Sequence, residues 1–260
     1  MTYAVMTAGE KLPEQALLAK ALETAFKLDR DTAAITARHA RGVLGRGLDG
    51  AAADALLGAC EALGLPAFKI EEASLPALRP AAPVKKAVLE GGAAVLTAGG
   101  TLVSAAPADI AALAGGPVRH EITSTVKTTE GPSAGEKAVR LGIMAATGLP
   151  IGLGKNKEVS KEVKSTELSF YLDVLLADGA RLRAHSDDFD FSGLKEKKTY
   201  SSQVNFRLLC ADLAAFAPAA WKSSGLLAML EGRPLAPAAY DSLEELEREE
   251  LRLLAAKGKA

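Results

Sequence analysis

Leu168-Ser169-Phe170-Tyr171-Leu172-Asp173-Val174-Leu175-Leu176 carries an apolar residue at every even position. That period of two specifies a β-strand with one face on a core, and it leaves Ser169, Tyr171 and Asp173 on the other face. The stretch ends a longer strand-like run, 158–176, and a second run of the same character covers 121–128. Between them, residues 141–154 are uncharged and rich in glycine. A small β-domain with a long apolar insertion is the expectation, and the insertion is the candidate functional element, because loops beyond about 12–15 residues are usually functional or disordered.

The exit from this strand is set by Asp178-Gly179. A two-residue loop would place Leu176 opposite Arg181 and put the apolar set on the face of Arg181 and Arg183. One more loop residue sets Leu176 opposite Leu182 and Val174 opposite Ala184, so that the apolar faces agree. The sequence therefore predicts a three-residue loop or a bulge at 178–180.

Bulk properties narrow the class. At 260 residues the chain has room for two domains of about 100–150 residues each. A composition of 48% hydrophobic and 24% charged residues suits independent folding. The net charge of −1 lacks the basic footprint of a nucleic-acid binder, and 5% aromatic residues leave little for base stacking. No basic segment precedes an apolar one at the start of the chain, and no apolar run is long enough to span a bilayer, so a cytoplasmic protein is expected. Cys60 and Cys210 each fall on an apolar helical face and read as buried, reduced thiols.

Working outward toward the N-terminus, residues 3–8 read as a strand and 12–28 as a helix with Leu18, Ala21, Leu22, Ala25 and Phe26 on one face. Residues 40–48 read as a second strand, and Asp49 as the cap of a helix through Ala62 with the stripe Ala52, Leu56, Cys60 and Leu63. Gly64 ends that helix before a third strand at 66–71. The order β-α-β-α-β over residues 1–75 predicts a ferredoxin-like α/β sandwich. The stretch from Gly47-Leu48-Asp49-Gly50 to Ala62-Leu63-Gly64-Leu65-Pro66-Ala67 resembles the helix–strand unit of the ribosomal stalk protein's C-terminal domain. That resemblance bears on the fold of this piece and implies no activity.

Pro76, Pro80 and Pro83 mark an extended linker over 76–83. Beyond it, 84–89 and 93–104 read as strands with a Gly99-Gly100 hairpin turn, 107–113 as a short helix, and 201–217 as a helix with Phe206, Leu209, Cys210, Leu213 and Ala214 on one face. Antiparallel strands closed by an amphipathic helix resemble a pleckstrin-homology-like domain over 84–218, an α+β expectation about fold alone. A helical tail, 219–260, follows. Its last helix opens on a capping box, Ser242 to Glu245, and aligns Leu243, Leu246, Leu253 and Leu254, with Glu250 interrupting the stripe. That helix is expected to dock on the protein's own body or on a second subunit.

Motifs for chemistry are weak. Gly148-Leu149-Pro150-Ile151-Gly152-Leu153-Gly154-Lys155 misses the phosphate-loop pattern, with Leu149 in place of its first glycine and Asn156 in place of its hydroxyl. Asp187, Asp188 and Asp190 beside His185 read as an acidic solvated loop, and His39 and His120 as exposed or capping histidines. Lysines 155, 157, 161 and 164, with Lys195, Lys197 and Lys198, form two basic patches that could meet an anionic or lipid-headgroup surface weakly. No catalytic residue, metal or cofactor is expected. The sequence points to a non-catalytic interaction or assembly module contacting a protein partner, or itself, through Leu141, Ile143, Met144, Leu149, Ile151, Leu153, Lys155 and Lys157. The alternatives are an enzyme or small-molecule-binding protein with a site between the domains, and a peripheral membrane protein.

Overall fold

Five residues, Tyr3–Thr7 (β1), are almost wholly apolar and form the middle strand of a three-stranded sheet. The computed structural model describes residues 1–130 and 157–259, as backbone alone over 121–130 and 157–165. The expected helix forms over Gln15–Phe26 (α1) with Leu18, Ala21 and Leu22 buried. A second helix, Arg30–Ala40 (α2), follows where the sequence reading left a connection. Its buried face is only Ala33, Ala37 and Ala40, too faint a stripe to stand out, although Asp29 accepts from the amides of Asp31 and Thr32 as a regular N-cap.

That extra helix changes the topology. Two helices in succession return the chain, so Val43–Leu48 (β2) runs antiparallel to β1. The helix Gly50–Ala62 (α3), capped by Asp49 as expected, leads to Ala67–Glu71 (β3), antiparallel to β1 on its other side. The order is β2-β1-β3. In α3 the buried stripe is Ala53, Leu56, Ala59 and Cys60; Ala52 and Leu63 are half-buried. Gly42, at φ +83, has to be glycine on two counts: a Cβ there would lie 2.3 Å from Arg252 Cδ.

The larger sheet is mixed. Its strands are Ala82–Glu90 (β4), Ala93–Ala98 (β5), Thr101–Ala105 (β6), Ile110–Glu130 (β7), Lys157–Leu176 (β8), Arg181–His185 (β9) and Trp221–Lys222 (β10). Their order is β10-β7-β8-β9-β4-β5-β6, with parallel pairing at β4–β9 and β10–β7. Gly99 and Gly100, at φ +56 and +83, make the expected two-residue turn with Ala98 opposite Thr101. The short helix expected at 107–113 is one 3₁₀ turn, Pro107–Asp109, because Ile110 onward pairs in the sheet.

At the β8–β9 hairpin the loop does contain three residues, 177–179, since Leu176 N–H donates to Ala180 O at 2.9 Å. The register differs from the expected one: Val174 faces Leu182, and Leu172 faces Ala184. The apolar faces still agree, because a shift of two residues preserves the side-chain alternation.

The helices after β9 are Ser202–Phe216 (α4), Ser224–Leu230 (α5), Leu235–Ala238 (α6) and Leu243–Lys257 (α7). Helix α4 seals the even-numbered face of β8: Phe170, Leu172, Val174 and Leu176 share a core with Phe206, Leu209, Cys210 and Leu213. The opposite face is covered too. Leu175 packs with Ala112, Val118, Tyr240, Leu246 and Leu253, so α7 docks on the protein's own body. The chain is thus a mixed α+β protein with one small antiparallel sheet and one larger mixed sheet. It divides into two compact units, Met1–His120 with Leu168–Ala260, and Glu121–Glu167.

Both cysteines are free and fully buried, and burial raises the pKa of each thiol. Neither should react with Ellman's reagent in the native protein, and both should react once it is denatured. Stoichiometric labelling without denaturant would contradict this packing.

Candidate functional site

Alternation along β8 sends Asp173 to the face opposite Leu172 and Val174. There it is completely buried. Two arginines from the adjacent strand reach it: Arg183 in a bidentate fork, Nε to Oδ1 and Nη2 to Oδ2, both 2.7 Å, and Arg181 Nε to Oδ2 at 2.8 Å. Helix α7 closes the group from above. Glu247 accepts from Arg181 Nη2 at 2.6 Å, and Glu250 Oε2 lies 3.0 Å from Arg181 Nε. The residue that interrupts the leucine stripe of α7 is therefore drawn to this ion cluster.

Two guanidiniums cannot neutralise three carboxylates at close range in a dry site. Both oxygens of Glu250 are buried without a hydrogen-bond partner among the described residues. Burial, and then the charge of Asp173, push the Glu250 carboxyl well above its usual range, which favours its protonated form and with it a neutral cluster. Removing one member of such a group costs about 3–5 kcal/mol, because it strands the others.

The cluster floors a cleft of about 440 Å³ lined by Arg79, Lys85, Tyr171, Arg181, Arg183 and His185, with Asp188 and Glu247 at its margin. Tyr171 and His185 stack, 4.5 Å apart at 15°, and form one wall. Burial raises the Tyr171 hydroxyl above its usual pKa. Lys85 pairs with Asp188 across the opening. Arg79 and the Nη1 of Arg183 have no side-chain acceptor among the described residues. Arg79, Lys85, Arg181 and Arg183 stand against Asp173, Asp188 and Glu247, so the cleft is cationic while Glu250 is protonated. A larger hollow of about 740 Å³ beside Tyr3 and Leu254 has fewer convergent groups, and its Lys69 pairs with Asp54.

A second cluster unites His39, Asp241 and Glu245 within ligand distance of one another. Its carboxylates are already held: Arg41 donates twice to Glu245 at 3.0 and 2.9 Å, and Arg38 and Arg119 both reach Asp241. Three guanidiniums around two carboxylates oppose a dication, and the donor set suits an ion-pair clasp between α2 and the start of α7. A third group, Glu249, accepts from Tyr240 OH, Ser224 N and Ser224 Oγ and is also structural.

Of the residues singled out from the sequence, Leu141, Ile143, Met144, Leu149, Ile151, Leu153 and Lys155 lie outside the described residues, as does the glycine-rich run to Lys155. Lys157 is the first residue of β8. Asp173 and Tyr171 do lie on the face opposite the core residues Leu172 and Val174, where Asp173 is buried under α7 and Tyr171 forms the cleft wall; a strand pattern reports two faces without saying what covers the second. His120 meets the Tyr171 hydroxyl at 3.4 Å, and His39 joins the ion-pair clasp instead of standing free. Asp190 caps the turn at Ser192 and sits 3.6 Å from Lys86, which separates it from Asp187 and Asp188. Arg79, Lys85, Arg181, Arg183, Glu247 and Glu250 were not legible as a site, since they come from three distant segments. No family model, curated protein or solved structure matches this chain.

The raised Glu250 fixes the sign of a pH effect. A carboxyl protonated in the fold and ionised in the unfolded chain stabilises fully below the usual carboxyl range, and that stability is lost as pH rises toward the folded-state value. Glu250→Gln should therefore flatten the fall in melting temperature as pH rises above the usual carboxyl range. A steeper fall in the variant would show that Glu250 is ionised in the native protein.

Proposed function

We propose that the chain is a non-catalytic module that binds a small anion, a phosphate or carboxylate group, in the cleft over Asp173. One observation carries this reading: Arg183 is locked in place by a buried bidentate partner and lines the cleft with Arg79 and Lys85. Preorganised guanidiniums favour planar and tetrahedral oxyanions, and the Tyr171–His185 stack gives an attached ring a flat surface. The finer resemblances stay with this reading: a ferredoxin-like sandwich over 1–75 and a pleckstrin-homology-like domain over 84–218, the latter supported by strands β4 to β9 preceding α4. No described helix is long and apolar enough to cross a membrane, and two reduced thiols suit the cytoplasm.

Calorimetric titration with inorganic phosphate should show saturable binding that weakens with salt. Arg79→Gln and Lys85→Gln should each weaken it by about tenfold, the loss of one charge-assisted hydrogen bond, while the melting temperature without ligand stays nearly constant. Binding unchanged in both variants, or absent at every concentration, would overturn the assignment.

A second reading has its own support. Strands β7 and β8, at 21 and 20 residues, contribute to a second compact unit, Glu121–Glu167, whose sequence includes the apolar insertion. This favours association with a protein partner, or with another copy, through 141–154. Leu149→Asp with Ile151→Asp should then abolish association at an unchanged melting temperature. A large drop in melting temperature with association intact would make the segment part of a core.

A further inference from the structure

Strand β6 is the open edge of the seven-stranded sheet. Natural edges are guarded by charged side chains, proline, bulges or a covering element. Residues 91–106 contain no charged residue and no proline, and β6 pairs with β5 in an unbroken register from Ala98–Thr101 to Ala94–Ala105. Leu102 is 68% exposed. No described strand pairs with its outer side, and Val103, Ser104 and Ala105 line an open hollow of about 490 Å³ with Asp109, Leu176, Ala177 and Asp178.

The turn geometry fixes which backbone groups are unpaired. With a two-residue loop, Ala98 and Thr101 form a hydrogen-bonded pair, and the pairs alternate from there. Val103 therefore bonds inward to Leu96, and the N–H and C=O groups of Leu102 and Ser104 point outward from the sheet. Two outward residues flanking one inward residue are self-complementary under a two-fold axis through Val103. Leu102 of one copy then meets Ser104 of the other, and the reverse, so each of these pairs exchanges both its bonds.

We infer that β6 is a self-association edge: two copies of this chain join antiparallel, β6 to β6, about Val103. The occupant is a second copy because the outward pattern of β6 is complementary to itself about Val103. The contact is short, so the dimer is weak and depends on concentration. This goes beyond the anion-binding reading and uses none of its residues.

Analytical ultracentrifugation of the full chain should show a monomer–dimer equilibrium. Leu102→Lys, which places like charges near one another across the axis, and Ser104→Pro, which removes an outward N–H, should each weaken it by at least about tenfold. Circular dichroism checks that both variants fold. Hydrogen exchange on the unmodified chain gives an independent reading: the Leu102 and Ser104 amides should slow as concentration rises, while Val103 stays protected throughout. A wild type that remains monomeric at every concentration overturns the proposal. So does a dimer that persists in both variants, or one in which the Leu102 and Ser104 amides exchange freely. Loss of dimer in Leu149→Asp with Ile151→Asp alone would assign association to the insertion instead.

Discussion

Helix α7 is held in place by charge as much as by apolar packing, and much of the first compact unit depends on that arrangement. Glu245, Glu249, Glu250 and Arg252 are all buried in it. A buried polar group is tolerable only with partners or with its charge removed, and each of these meets groups from a different segment. Glu245 reaches His39 and Arg41 of the α2 end, and Glu249 takes Tyr240 and Ser224. Arg252 donates to the carbonyls of Gly9 and Glu10, while Glu250 meets the Asp173 and Arg181 group of the large sheet. One helix thereby joins the small sheet, the loop after β1, the β8–β9 hairpin and the proline-rich segment before it.

This device sets the register of the helix more sharply than leucines would. Apolar contacts tolerate small slips, whereas a displaced carboxylate leaves an unpaired charge in a dry site. The same constraint shapes the cleft. Asp173 is fully engaged with Arg181 and Arg183, so those guanidiniums are held in place, and a raised Glu250 carboxyl reduces the negative charge that would cancel them. In the anion-binding reading one cluster serves both support and attraction, which is why a neutral, correctly shaped replacement at Glu250 is informative and a deletion of Asp173 would not be.

Two surfaces follow from different physics. The cleft is polar, preorganised and enclosed by side chains from β4, β8, β9 and α7. The β6 edge is uncharged and offers only backbone hydrogen bonds and Leu102. A ligand at the first and a second copy at the second are compatible, since they use separate strands.

Local chemistry alone accounts for much of what was legible. Asp49 and Ser242 as caps, the Gly99-Gly100 turn, the three-residue β8–β9 loop, the α4 stripe and both buried thiols follow from side-chain period and turn stereochemistry, which act within a few residues. Helix α2 escaped because its buried face is alanine, and an alanine stripe differs little from background. The cleft and the ion clusters escaped for another reason: Arg79 and Arg183 are unremarkable in sequence, Glu250 shows there only as a break in a leucine stripe, and all three acquire meaning only when the chain brings a linker, a strand and a terminal helix together. The period of two around Leu172 established that β8 has two distinct faces. That its polar face would be buried under α7, with Asp173 neutralised by Arg181 and Arg183, was decided by tertiary packing, because desolvation and ion pairing depend on neighbours that sequence distance does not reveal.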